Sequence, residues 1–182
     1  MKKTHWALFI FLTALQGCIL KPEFSEIPRI EFRQIRKIIV NENGFKRDSI
    51  IVSVFFQDGD GDLGLSADET FFPYSELKPD GTTNEFFYNY FVTMEKRIAN
   101  NRYEPIVFSG PNLNGRFFKL NVENTKGPLE GTINRSFTIS AGAYPIINVP
   151  ANSYVRFKIQ IADRALNKSN EIITDSLLVN TN

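Results

Sequence analysis

Three aspartates stand two residues apart in FFQDGDGDLGL (55–65): Asp58, Asp60 and Asp62, separated by Gly59 and Gly61. Carboxylates a few ångströms apart repel by on the order of 1 kcal/mol per pair in water, and by more when partly buried. A stretch that concentrates them needs either a cation among them or a very polar turn. Calcium takes six to eight oxygen ligands from carboxylates, amide or backbone carbonyls and water, and Asp58, Asp60 and Asp62 can supply three to six of them. The glycines let the backbone curl so that alternate carboxylates face inward. Magnesium suits the stretch less well, because it demands a strict octahedron and keeps its waters. Asp-Gly is also a common turn pair that requires no metal, so a plain hairpin turn is the competing reading.

The strands that lead into acidic residues decide which acids can meet. In SIIVSVFFQD (49–58), Ile50, Val52, Val54 and Phe56 share one face, and Asp58 is next on the same parity. In SYVRFKIQIAD (153–163), Val155, Phe157, Ile159 and Ile161 share a face, and Asp163 is next on theirs. If these are the second and sixth strands of an immunoglobulin-like sandwich, they run alike on opposing sheets and end at one pole. Asp58 and Asp163 then converge, and the following ADRALNKSN stretch brings Asn167, with Asn170 further out, as oxygen donors. The acidic spacing also overlaps an EF-hand loop, which would end at Glu69. However, Leu63 stands where that loop needs glycine, and the preceding run is a strand. An EF-hand is therefore rejected, while Glu69 is kept as a candidate outer ligand. The expected set for one Ca2+ is Asp58, Asp60, Asp62, Asp163 and Asn167, with Glu69 and Asn170 as outer candidates.

The rest of the chain also reads as strands. Candidates are 30–40, where an interrupted alternation suggests a bulge, 49–58, 84–97, 104–108, 116–122, 130–140, 153–163 and 171–179. NENG (41–44), KPDGTTN, SGPNLNG, NTKGP and AGAYP punctuate them, and no long helical period appears. This predicts an all-β fold, an immunoglobulin-like antiparallel β-sandwich of about seven to eight strands over residues 30–182. A small barrel shares the pattern. The parity also predicts that Phe56 and Phe157 are buried and that Phe55 faces the other way.

The N-terminus is built differently. A basic start, MKKTH, precedes the apolar run WALFIFLTAL, which is too short to span a bilayer as a helix and has the build of a secretory signal peptide over residues 1–17. The run ends in LQGC, which resembles the lipobox of bacterial lipoproteins. The resemblance implies cleavage before Cys18 and lipidation of its thiol, leaving residues 18–29 as a tether to the membrane. The chain has one His, one Trp and one Cys, at His5, Trp6 and Cys18. After such cleavage no histidine remains and the cysteine carries lipid. Ser-His-Asp and Cys-His nucleophile systems are then excluded, as are zinc sites built on His or Cys. A formal net charge of +1 shows none of the basic excess of a nucleic-acid binder.

FFQDGDGDLGL and IADRALNKSNEIITDSLLV, with PRIEF (28–32) at the domain entry, together resemble the uncharacterised lipoproteins common in the Bacteroidota. The late segment is also similar to the D-x-x-G-N-x-S ending of bacterial Ig-like domains, with Leu166 where glycine is usual. The resemblance implies an Ig-like fold and an envelope location, and no activity. Ile19 after the lipid cysteine, in place of an inner-membrane retention aspartate, points to the outer membrane of a Gram-negative cell. The expected function is a non-enzymatic envelope lipoprotein with a calcium-braced domain and an unknown protein or glycan partner. Two alternatives stay open. One is a glycan-binding module using Tyr74, Tyr88, Tyr90 and Tyr103, residues that also read as ordinary strand aromatics. The other is a carbohydrate-active enzyme using two carboxylates, chemistry that needs no histidine.

Overall fold

A computed structural model describes residues 22–42, 45–108, 112–121, 125–139, 149–150 and 152–179. The signal region, Cys18 and the turn residues 43 and 44 lie outside the described residues. Among the described residues eight strands form: β1 (Arg29–Glu42), β2 (Phe45–Asp58), β3 (Tyr90–Ala99), β4 (Arg102–Pro105), β5 (Leu129–Ile139), β6 (Ser153–Ile161), β7 (Ile172–Ile173) and β8 (Leu177–Val179). They make two antiparallel sheets, one in the order β1-β2-β5, the other in the order β4-β3-β6-β7 with β8 also on β6. The first, second and fifth strands thus share one sheet, and the third and sixth share the other with the closing strands. That division defines an immunoglobulin-like sandwich, here with the fourth strand beside the third.

Alternation builds the core. Ile50, Val52, Val54 and Phe56 of β2, and Val155, Phe157, Ile159 and Ile161 of β6, are all buried, while the residues between them in each run are only half-buried. The sheets meet through the stacked rings of Phe137 and Phe157, with centroids 5.2 Å apart. Strand β1 carries the expected bulge, a register shift between Phe32 and Gln34. Among the described residues no helix is long and apolar enough to cross a membrane.

Three strand expectations require correction. Of the expected strand 116–122, the described residues 116–121 make only an isolated bridge at Phe118 and no ladder. Asn89 there takes the place of a partner strand, accepting from Phe117 N–H at 2.8 Å and donating to Phe117 O at 3.1 Å. The stretch 84–97 starts not as strand but as one turn of 3-10 helix, Glu85–Phe87. Asn84 caps it, accepting from Phe86 N–H and tying down the carbonyls of Pro73 and Ser75 with its amide. The final run is cut in two at Thr174, whose hydroxyl accepts from Phe157 N–H in place of a backbone carbonyl. In each case a side chain hydrogen-bonds backbone groups that would otherwise join a ladder.

Candidate metal centre

Asp58 is the last residue of β2 and keeps its inward parity, with 0% exposure. Asp163 follows β6 and is also buried, bridged to Leu63 of the acidic loop. Asp62 lies between them. Each of the three carboxylates offers one oxygen, and these oxygens lie within 4.8 Å of one another. The ends of β2 and β6 therefore meet at one pole, as the parity argument requires.

The hydrogen bonds divide each carboxylate. Asp58 Oδ2 accepts from Asp62 N–H at 3.0 Å. Asp163 accepts from Asn167 twice, at Oδ1 from the backbone (2.7 Å) and at Oδ2 from the side-chain amide (2.8 Å). The backbone N–H groups of Arg164 and Ala165 serve Asp62. By contrast, Asp58 Oδ1, Asp60 Oδ1 and Asp62 Oδ1 are buried without any hydrogen-bond partner. A buried acceptor without a donor is costly, and a buried carboxylate more so. Like charges about 4 Å apart at an effective dielectric near 20 add roughly 4 kcal/mol per pair. Clustered carboxylates that keep buried oxygens without donors, while backbone N–H groups hold their other oxygens, are what an oxygen-loving cation requires. Asp58, Asp62 and Asp163 could thus hold a metal ion between them, with Asp60 next to them in the loop. A cleft of about 100 Å³ bordered by Asp60, Asp62, Lys119, Lys126 and Arg164 adjoins the cluster.

The same crowding moves the protons. Burial, reinforced by the charges of Asp60 and Asp62, pushes the Asp58 carboxyl up to about 7. Burial, then Asp163 and Asp60, pushes Asp62 up to about 6. Burial also raises Asp163, against the two donors from Asn167. A carboxyl whose folded pKa lies above its unfolded value near 3.9 contributes stability at low pH that is lost as pH rises through the folded pKa. In metal-free buffer the melting temperature is therefore expected to fall between pH 5 and pH 8. Calcium competes with those protons, so its stabilising effect should grow over the same range. A metal-free melting temperature that rises from pH 5 to pH 8 would contradict the carboxyl cluster.

The loop has the backbone that the glycines permit. Gly61 sits at φ +72°, and a Cβ there would lie 2.5 Å from the Gly127 carbonyl oxygen, so both conformation and space call for glycine. Leu166 adopts φ +69°, so the turn after Asp163 keeps a left-handed residue where glycine would be unstrained.

Other expected site residues take different tasks. Asn167 donates to Asp163 with its amide and orients that carboxylate. Glu69 lies outside the cluster. It pairs with Arg164 through both oxygens, one at 2.6 Å, and accepts from Ser66 N–H at 2.7 Å. The Arg164 hydrogen bond holds its carboxyl below the usual range. Asn170 is used on the other side of its loop, bonding both backbone groups of Ile30 at 2.9 Å. Tyr74 and Tyr90 are buried, with Tyr74 Oη donating to Arg164 O at 2.6 Å, so neither ring is open to stack on a sugar. Arg156 covers Tyr103 at 3.9 Å.

Arg116 was not evident from sequence. Its guanidinium donates to the carbonyls of Ser66, Glu69, Tyr74 and Phe87 and gathers the long β2–β3 connection beside the site. A single arginine in an irregular stretch carries no periodic signal.

Comparison with family models, with curated proteins and with solved structures finds no match for this chain. Fold and site by themselves define its class, an all-β immunoglobulin-like sandwich with an acidic pole where its second and sixth strands end.

Proposed function

We propose that this chain is a non-enzymatic lipoprotein of the cell envelope, anchored at Cys18 to the outer membrane, whose sandwich is braced at one pole by Ca2+ and serves a binding or scaffold role. The observation that carries the reading is Asp58, which is fully buried, has one oxygen without a partner, and is held against two further carboxylates, Asp62 of its own loop and Asp163 from more than a hundred residues away. A resident cation gives those oxygens a partner and cancels their repulsion, and it supplies no reaction. It joins the loop after β2 to the loop after β6, one from each sheet, which stiffens the end of the sandwich without constraining its outer faces.

Calcium titration of the metal-stripped domain, followed by calorimetry, tests the brace. One site per chain is expected, with a Kd in the range of 10⁻⁴–10⁻³ M common in extracellular modules. Asp60→Asn should weaken it, and no binding at millimolar calcium refutes the brace. The anchor has its own test. The protein should take up labelled fatty acid and partition into detergent, and Cys18→Ser should abolish both. Unchanged labelling in that variant refutes lipidation at Cys18.

A further inference from the structure

The chain that enters the domain is gripped by both loops of the acidic pole. Gly59, next to Asp58, donates its N–H to Ser25 O at 2.8 Å. The backbone approach is so close that a Cβ on Gly59 would lie 2.4 Å from Phe24 O and 2.8 Å from the Ser25 carbonyl carbon. Ser25 Oγ accepts from Ile27 N–H at 3.0 Å and bends the segment, and Pro28 is buried. Two residues on, Ile30 is held by Asn170, which accepts its N–H and donates to its carbonyl, both at 2.9 Å. Residues 25 and 59 join the entry segment to the loop that carries Asp58 and Asp62. Residues 30 and 170 join it to the loop after Asp163. Around Ser25, Glu23, Glu26 and Ile27 are exposed and Phe24 is half-buried, so little apolar burial holds residues 23–27 down, whereas Pro28 and Ile30 are buried and β1 begins at Arg29.

We infer that cation binding at the acidic pole locks residues 24–27 against the domain, and that loss of the cation releases them from the fixed point at Ile30. The inference rests on the calcium reading of the site. It adds a consequence, that the ion governs the last stretch of chain between the domain and its N-terminal attachment. The two fixing points sit on the two loops that share the carboxylates. When no cation is present, the charges of Asp58, Asp62 and Asp163 drive those loops apart, and the bracket across them loses its spacing. A segment with few buried contacts belongs to the low-stability end of a fold and opens first. With the ion bound, both loops are tied to one centre and the bracket closes. For a tethered domain, the released state adds free chain and so increases its reach from the attachment point. Coupling of this kind is reciprocal, so docking of the segment must also tighten the ion.

Hydrogen exchange followed by mass spectrometry, on the chain carrying Cys18→Ser, provides the test. In millimolar calcium, amides in residues 24–27 should exchange at least about fivefold more slowly than in metal-free buffer, the lower end of ordinary couplings between sites. Replacing residues 22–27 by a Gly/Ser stretch of equal length removes no carboxylate of the cluster. It should weaken calcium binding by a similar factor while leaving a calcium-dependent rise in melting temperature. If calcium raises the melting temperature but exchange at 24–27 is unchanged, the inference is overturned and the calcium reading stands. An unaltered calcium Kd in the Gly/Ser variant overturns it equally. If calcium neither binds nor stabilises, the site reading falls and this inference falls with it.

Discussion

Phe157→Ala is expected to destabilise the domain by about 3–5 kcal/mol, the range for truncating a buried phenylalanine. Typical domains hold only 5–15 kcal/mol in total, so the variant should unfold at a much lower denaturant concentration. The effect should be at the high end because Phe157 is fully buried at the centre of β6 and stacks on Phe137 of the opposite sheet. Its backbone is also pinned, with its N–H bonded to the Thr174 hydroxyl and its carbonyl to Thr174 N–H, so the site has little freedom to collapse around a cavity. Phe56→Ala should fall in the same range. Phe55 supplies the control, since its ring is half-buried on the other face of β2, under the Arg33 guanidinium at 4.4 Å. Its truncation should cost on the order of 1 kcal/mol, the scale of a partly exposed cation–π contact plus modest burial. Urea denaturation of the three variants measures all of this. A Phe55→Ala cost equal to that of Phe56→Ala would mean that the β2 register is wrong.

Calcium at a hundredfold excess over its Kd should stabilise the domain by about 2.7 kcal/mol, since binding confined to the folded state adds RT ln(1 + [L]/Kd). For a domain of this size that is roughly 5–10 °C in melting temperature. Chelation should remove the gain and added calcium should restore it. Asp163→Asn is the informative variant, because Asp163 lies more than a hundred residues from the DGDGD loop and reaches it only through the fold. It should lose most of the calcium effect. It should also raise the melting temperature of the metal-free protein, because removing one buried charge relieves Asp58, Asp60 and Asp62. Opposite signs with and without calcium are the signature of a cation site. A carboxylate with a merely structural role would be destabilising to lose in both conditions. A calcium response intact in Asp163→Asn but lost in Asp60→Asn would leave a metal in the loop and remove Asp163 from it.

The alternation along β2 and β6 is a property of residue types at fixed spacing, and it already determines that Ile50, Phe56, Val155 and Phe157 face inward. It also makes Asp58 and Asp163 the next inward positions. Because a sandwich of this type places its second and sixth strands in opposing sheets, the meeting of those two acids follows from counting strands. What neighbours each polar side chain has does not follow from period or count. Glu69 was a ligand candidate by spacing, but Arg164 is brought to it by the turn after β6 and takes both its oxygens. Asn170 was an oxygen donor by proximity in sequence, but the entering chain passes beside it and Ile30 occupies its amide. Residues 116–122 have strand-like residues, yet Asn89 and Arg116 fix this region through side-chain hydrogen bonds and no ladder forms among the described residues. Burial of apolar side chains repeats with the backbone and so is written in the local pattern. A hydrogen bond is short and directional and depends on which backbone groups the tertiary fold carries past a single side chain, so only the folded chain decides it.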